Sequence, residues 1–151
     1  MLVLAFDTGP KAHGWAIVSV EADLAEARMC GGLKYGAHPL TVVPPMYSPG
    51  LIAIEAPLHA YSAKTASAII ATSRAAGELG GAARALGYRV EYVTAADWRA
   101  GLLGAANAHD AAVKAWVEQH IQGWPKRSNP HTRDAAALAV WAGRRALREA
   151  P

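Results

Sequence analysis

The sequence predicts an α/β fold in a single domain spanning residues 1–151. Residues 2–6 and 51–54 are short and wholly apolar, which is typical of buried strands. Alanine-rich segments bounded by helix-capping residues dominate the second half of the chain. The 151 residues are 52% hydrophobic, and a chain of this length buries roughly two-thirds of its unfolded surface, so its core needs no disulfide.

The first half of the chain is predicted to consist mostly of strands. Three strands joined by short turns, as in an antiparallel meander, are expected at residues 2–6, 13–20 and 26–34. Residues 36–50 contain four prolines, which exclude a regular helix and predict an extended loop. A further strand at 51–54 ends at Glu55.

The second half combines one strand with four helices. The strand is expected at 88–93, where apolar and polar residues alternate. The helices are expected at 62–86, from Thr94 to Leu103, from Asn107 to Gln122 and at 130–148. Their N-caps are predicted to be residues whose side chains accept backbone N–H bonds, namely Ser62, Thr94, Asn107 and Asn129. Gly87 is expected to end the long helix in the left-handed conformation.

The long helix at 62–86 has an unusually small face. This face comprises Ala75, Ala76, Gly77, Gly80, Gly81 and Ala83. A glycine inside a helix costs up to about 1 kcal/mol relative to alanine, so three of them indicate close approach by another element. That element is either the sheet or the same helix of a second subunit.

Composition excludes several classes of protein. The single cysteine, Cys30, excludes an internal disulfide and a multi-cysteine metal site. No apolar segment approaches the roughly 20 residues of a membrane helix, and the start MLVLAF has no preceding basic region. We therefore expect a cytoplasmic protein with no membrane partner. The 15 basic residues exceed the 12 acids, and bases cluster between 126 and 148, which fits either a polyanionic partner or a solvated helix face.

Two carboxylates stand where apolar strands end. Asp7 is the only acid in residues 1–20, and Glu55 is the only acid in 27–77. If their strands are parallel neighbours, both carboxylates meet at one edge of the sheet. A charge at the end of a core strand is costly unless it is paired or binds a metal, although either residue alone could simply begin a turn.

His131 and Asp134 would complete a cluster with these carboxylates. Residues three apart share one face of a helix, so both point the same way near the start of the last helix. Three carboxylates and one imidazole suit Mg²⁺ or Mn²⁺, with the imidazole favouring Mn²⁺. Two such ions can activate a water and stabilise the leaving oxygen in phosphodiester hydrolysis. Alternatively, Asp134 merely complements the helix dipole and His131 is a surface residue.

Three segments resemble the RuvC family of Holliday-junction resolvases. They are the opening FDTGPKAHGWAIV, the strand end IAIEAP and the final helix HTRDAAALAVWAG. The resemblance implies an RNase H-like fold, with a mixed five-stranded sheet flanked by helices. It also implies that the catalytic and metal-binding residues are Asp7, Glu55, His131 and Asp134. The family usually has aspartate where this chain has His131, which leaves the preferred metal open.

The resemblance further implies a homodimer that resolves branched DNA. Such an enzyme uses two ions per active site and makes paired symmetric nicks in a four-way junction, leaving 5′-phosphate and 3′-hydroxyl ends. The candidates for DNA contact are Lys11, Leu58, Tyr61, Lys64, Arg74, Arg99, Lys114 and Arg133. Arg99 falls where the family has a DNA-binding lysine, and Leu58 where it has a wedging aromatic. Tyr61 could stack on a base or pack against the long helix, and Trp98 is expected in the core.

Three alternatives follow from the same residues. Another RNase H-like nuclease could cleave flaps, other branched DNA or RNA. A catalytically inactive module could bind junctions without cutting them. A small-molecule kinase or actin-like ATPase shares the Asp-x-Gly opening, but it needs two such lobes and this length supplies one. The source is expected to be a bacterial cell or a phage-infected host, and the proline-rich segment in place of a family helix favours a phage.

Overall fold

The computed structural model describes residues 1–9, 12–34, 40, 46–57 and 63–150, without the side chains of residues 34 and 63–65. The predictions for Lys11, Leu58, Tyr61 and the Ser62 cap lie outside the described residues, as does most of the proline-rich loop. For Lys64 the backbone alone is described.

The described residues form a mixed five-stranded sheet. Its strands are β1 (Leu2–Thr8), β2 (Ala12–Val20), β3 (Ala25–Lys34), β4 (Leu51–Glu55) and β5 (Val90–Val93). The spatial order is β3-β2-β1-β4-β5. The first three strands pair antiparallel, whereas β4 and β5 run parallel to β1. This confirms the predicted fold class, and it places the apolar strands β1 and β4 inside the sheet, where both faces are covered.

Four helices are described beside the sheet. They are α1 (Ala63–Ala85), α2 (Ala95–Leu103), α3 (Asp110–His120) and α4 (Pro130–Glu149). Thr94 caps α2 by accepting the N–H of Asp97 at 3.1 Å, and Asn129 caps α4 in the same way, as predicted. Gly87 has a φ of 83° beyond the end of α1, which confirms the expected left-handed residue. None of these helices is both long and apolar enough to cross a membrane.

The predicted cap of α3 is wrong. Asn107 lies inside a turn in which the N–H of Ala108 bonds to the carbonyl of Ala105 at 3.1 Å. His109 follows that turn with the extended backbone that a cap requires, and its ring accepts from the N–H of Ala112. The helix therefore begins at Asp110, after the turn.

The two faces of the sheet support separate apolar cores. On one face, odd-numbered β1 residues such as Val3 and Ala5 pack with α4, whose alanines allow it to lie close to the strands. On the other face, Leu4 and Phe6 pack with α1. This alternation follows from the two-residue repeat of a strand, and it directs position 7 towards α4.

The small face of α1 is only partly explained by the sheet. A Cβ at Gly80 would collide with the hydroxyl of Tyr92 on β5, so close approach is confirmed there. At Gly77 and Gly81, by contrast, a Cβ would meet no described atom within 4 Å. Gly77 and Gly81 therefore face open space.

Replacement of these glycines by alanine separates the two interpretations of the small face. In a monomeric chain, Gly77→Ala should raise the free energy of unfolding by up to about 1 kcal/mol, because alanine is the better helix former. Gly80→Ala should lower it, because Tyr92 must move. Urea unfolding measures both values. A loss of stability in Gly77→Ala that depends on protein concentration would show instead that a second chain packs on this face.

Candidate active site

Asp7 and Glu55 are direct neighbours at one edge of the sheet. They are register partners in the parallel pairing of β1 with β4, at the carboxyl end of each strand. Both belong to the alternate positions that face α4, since Val3, Ala5, Leu51 and Ala53 pack on that side. The proximity predicted from the sequence is therefore confirmed.

Gly14 allows α4 to reach this edge. It pairs with Asp7 across β1 and β2, and a Cβ at this position would collide with the backbone of His131 and Thr132. The Thr132 hydroxyl donates to the carbonyl of Gly31 on β3 at 3.1 Å, which fastens the start of α4 to the sheet. The sequence analysis missed Gly14, although a glycine inside a strand often marks such close approach.

His131 contacts Asp7 directly. Its Nδ1 lies 2.6 Å from Oδ2 of Asp7. The Asp7 side chain is 8% exposed and that of His131 is 53% exposed, so the imidazole stands between the buried carboxylate and solvent. This hydrogen bond raises the pKa of the imidazole, and the negative charge of Asp7 adds to the effect while burial opposes it. The contact with Asp7 therefore favours the protonated form of the imidazole.

Glu55 is held by groups from two elements. Its Oε2 accepts the indole N–H of Trp98 at 2.8 Å, and its backbone carbonyl accepts the Thr8 hydroxyl at 2.7 Å. Burial, followed by the charge of Asp7, raises the pKa of the Glu55 carboxyl to about 8. Trp98 is fully buried, as expected of a core residue, but its contact with Glu55 was not predicted.

Asp134 is paired with an arginine from α2. Nη2 of Arg99 donates to its Oδ2 at 2.8 Å. Burial and the charge of Asp7 raise the pKa of this carboxyl to about 6, and Arg99 opposes both effects. Sequence reasoning assigned Arg99 to DNA contact, whereas the structure places its guanidinium at the carboxylates with 20% exposure.

His13 is a further buried group near this cluster. It lies on β2 opposite Thr8 and is 6% exposed. Burial lowers the pKa of its imidazole, and the charge of Asp7 opposes that effect. No pattern in the sequence marks this histidine, because its environment arises only when β1 and β2 pair.

Solved structures of two Holliday-junction resolvases share this fold. RuvC of Thermus thermophilus in complex with a Holliday junction substrate matches with a TM-score of 0.77 and 19% identity, covering 98% of this chain and 96% of that one. The fold is that of RuvC. Another T. thermophilus RuvC structure gives a TM-score of 0.69 with the same identity and coverage.

A third solved structure, that of a yeast mitochondrial protein, matches with a lower TM-score. The yeast mitochondrial Holliday junction resolvase Ydc2 gives a TM-score of 0.65 and 11% identity, covering 94% of this chain and 78% of its own. No protein-family model matches the sequence, and no curated protein matches it. The likeness to RuvC is therefore one of fold.

The donor set at this edge of the RuvC fold suits a hard divalent cation in its chemistry. Carboxylate oxygens and one imidazole are the ligands such ions accept. A cation would oppose the burial and the charge of Asp7, which together raise the pKa values of Glu55 and Asp134. Among the described residues, however, no three His, Cys, Asp or Glu side chains are arranged as a metal-binding group. Asp7 is instead paired with His131, and Asp134 with Arg99.

Three other predicted DNA contacts have side chains that the structure describes. Arg74 is exposed on α1 and pairs with Glu78 at 2.7 Å. Lys114 is exposed on α3, 3.9 Å from Glu118. Arg133 donates to the backbone carbonyl of Ser128 at 2.6 Å. All three remain predictions.

Addition of a methyl group at Gly14 should separate α4 from the sheet. Gly14→Ala is expected to lower the free energy of unfolding by about 1–3 kcal/mol, the usual cost of overpacking, because the atoms it meets are backbone. Gly32→Ala on β3 is the matched control, since its nearest contact is the side-chain nitrogen of Asn129 at 3.3 Å, which needs to shift by only a few tenths of an ångström. Guanidinium unfolding measures both, and equal stability of the two variants would contradict the proposed role of Gly14.

The raised carboxyl pKa of Glu55 predicts how metal-free stability depends on pH. A pKa raised from 4.5 to about 8 contributes stability below the lower value and loses it as the pH rises through the higher one. Unfolding in EDTA should therefore cost about 3 kcal/mol less at about pH 8.5 than at about pH 5.5. Glu55→Gln should flatten this dependence, whereas the exposed control Glu78→Gln should retain it. A slope that Glu55→Gln leaves unchanged would contradict the assignment.

Proposed function

We propose that this protein is a metal-dependent endonuclease that resolves four-way DNA junctions. The observation that carries the proposal is the register pairing of Asp7 with Glu55 at one sheet edge of a RuvC fold. His131 lies 2.6 Å from Asp7, and the charge of Asp7 acts on Asp134. The solved complex of T. thermophilus RuvC with a Holliday junction substrate supports a branched DNA substrate for this chain.

Four side chains of this protein would bind the metal ions, and neighbouring residues would orient those side chains. Asp7, Glu55, His131 and Asp134 would bind two Mg²⁺ or Mn²⁺ ions per site, which supply activation of the attacking water and stabilisation of the leaving oxygen when bound. Trp98 fixes one oxygen of Glu55. Thr132 and Gly14 fix the start of α4, and with it the positions of His131 and Asp134.

Burial of the carboxylates contributes to the proposed chemistry. Asp7 and Asp134 are less than one-tenth exposed, so charge interactions at this edge act through a lower effective dielectric than in water. The same burial keeps protons on Glu55 and Asp134 at a higher pH than usual. Ligand binding by these groups is therefore expected to strengthen as the pH rises and the protons leave.

A homodimer would match the near two-fold symmetry of a four-way junction. The outward face of α1 supports this part of the proposal. It carries Gly77 and Gly81 in open space and Ile70, which is 67% exposed, at the seven- and four-residue spacings that share one helix face. Two copies would each nick one strand, leaving 5′-phosphate and 3′-hydroxyl ends, within a bacterial or phage-infected cytoplasm.

Cleavage of a synthetic junction tests the proposal. A labelled mobile four-way junction incubated with the protein in Mg²⁺ or Mn²⁺ should receive paired nicks at symmetric positions. Asp7→Asn should slow cleavage by at least about 100-fold while leaving junction binding intact in a mobility-shift assay. The exposed Asp23, in the turn after β2, provides the control Asp23→Asn, which should cleave normally. Full cleavage by Asp7→Asn would refute the mechanism.

The same assay distinguishes two alternative functions. Faster cleavage of flaps or RNA–DNA hybrids than of four-way junctions would indicate another RNase H-like nuclease. The ion pairs that occupy Asp7 and Asp134 specifically favour a junction-binding module without catalysis as the second candidate. Tight junction binding with no cleavage of any branched substrate in either metal would establish that function.

A further inference from the structure

Helix α2 supplies consecutive side chains to two of the three carboxylates. Trp98 donates to Glu55 at 2.8 Å, and Arg99 donates to Asp134 at 2.8 Å. Trp98 is a neutral donor, so it leaves the charge of Glu55 unchanged. Arg99 carries a permanent positive charge, so the two contacts differ in their consequences for a cation.

The guanidinium of Arg99 is fixed from several directions. Its Nη1 donates to the backbone carbonyl of Ala108 at 3.0 Å, and Nη2 lies 3.9 Å from Asp110 as well as contacting Asp134. Its central carbon lies 5.1 Å from the centroid of the Trp98 ring. The side chain is 20% exposed, compared with 74% for the surface arginine Arg74. The Arg99 guanidinium is therefore held by contacts within the protein and is not a freely solvated surface charge.

Arg99 holds the position of a counter-ion within the cluster. Its charge lowers the pKa of both Asp134 and Glu55, against the effects of burial and of Asp7. A divalent cation bound by the same carboxylates would perform the same neutralisation. Because the guanidinium occupies Oδ2 of Asp134, it competes with such a cation both for a ligand atom and through charge repulsion.

We propose that Arg99 is a built-in counter-ion that must leave Asp134 before a divalent cation can bind there. The inference rests on the metal dependence in the proposed function. It makes Arg99 a positioning residue that acts through Asp134. The same guanidinium also donates to the carbonyl of Ala108 through Nη1.

The competing explanation is that Arg99 only orients Asp134 as a ligand. The two roles have opposite consequences for cation affinity. Removal of a competitor strengthens cation binding, whereas removal of a support weakens it. Cation binding in the absence of DNA therefore distinguishes them.

Calorimetric titration of the DNA-free protein with Mn²⁺ tests the proposal. Arg99→Gln is expected to bind Mn²⁺ about tenfold more tightly than the unsubstituted chain, within the usual range of coupling between sites. The control is Arg145→Gln, which removes an arginine that is 44% exposed on α4 and paired with Glu149, and its affinity should be unchanged. Binding by Arg99→Gln alone would also support the proposal. Equal or weaker affinity of Arg99→Gln, or binding by neither protein, would overturn it.

A measurement on the unsubstituted protein covers the case in which Arg99→Gln fails to fold. The ¹⁵N side-chain resonances of arginine, followed during titration with Mg²⁺, should show a change at Arg99 and none at Arg145. An Arg99 signal that is unaffected at saturation would overturn the proposal. Neither experiment uses DNA, so a protein that passes both but cleaves no junction would refute the proposed function alone.

Discussion

The pairing of β1 with β4 places two carboxylates side by side in a poorly solvated edge, and the rest of the site depends on that constraint. Asp7 and Glu55 are direct register partners, so when both are ionised their charges repel each other across a backbone separation that the sheet fixes. Each surrounding contact reduces this repulsion or supports the groups that do. His131 forms a hydrogen bond with Asp7, Trp98 donates to Glu55, and Arg99 forms an ion pair with Asp134.

The fold and the principal carboxylates could be predicted from local patterns in the sequence. Short apolar strands, alternation and capping residues predict the order of elements, because each pattern reflects one element at a time. The meeting of Asp7 with Glu55 was also predictable, since it needs only the assumption that the two most apolar strands are neighbours. The metal-binding and catalytic roles of these residues stay predictions.

The remaining features depend on contacts between elements and have no local pattern. The hydrogen bond of Trp98 and the inward direction of Arg99 exist because α2 lies beside the carboxylates, which no spacing along the chain reveals. The prediction that Asn107 caps α3 was wrong for a similar reason, because Asn107 lies within a turn that precedes the helix. Gly14 can be recognised from the sequence as a glycine within a strand. Its close contact with the start of α4, however, depends on how that helix packs across β2.

The alternation along β1 divides the molecule into two layers with separate apolar cores. Odd positions of the strand contact α4 and the carboxylates, whereas even positions contact α1. Substitutions in the α1 layer can therefore accumulate without disturbing the charged edge, provided that volume is retained. Such a division gives a physical reason why a fold can persist with T. thermophilus RuvC at 19% identity. It also means that a change on the α1 side of the sheet need not alter the side chains at the carboxylate edge.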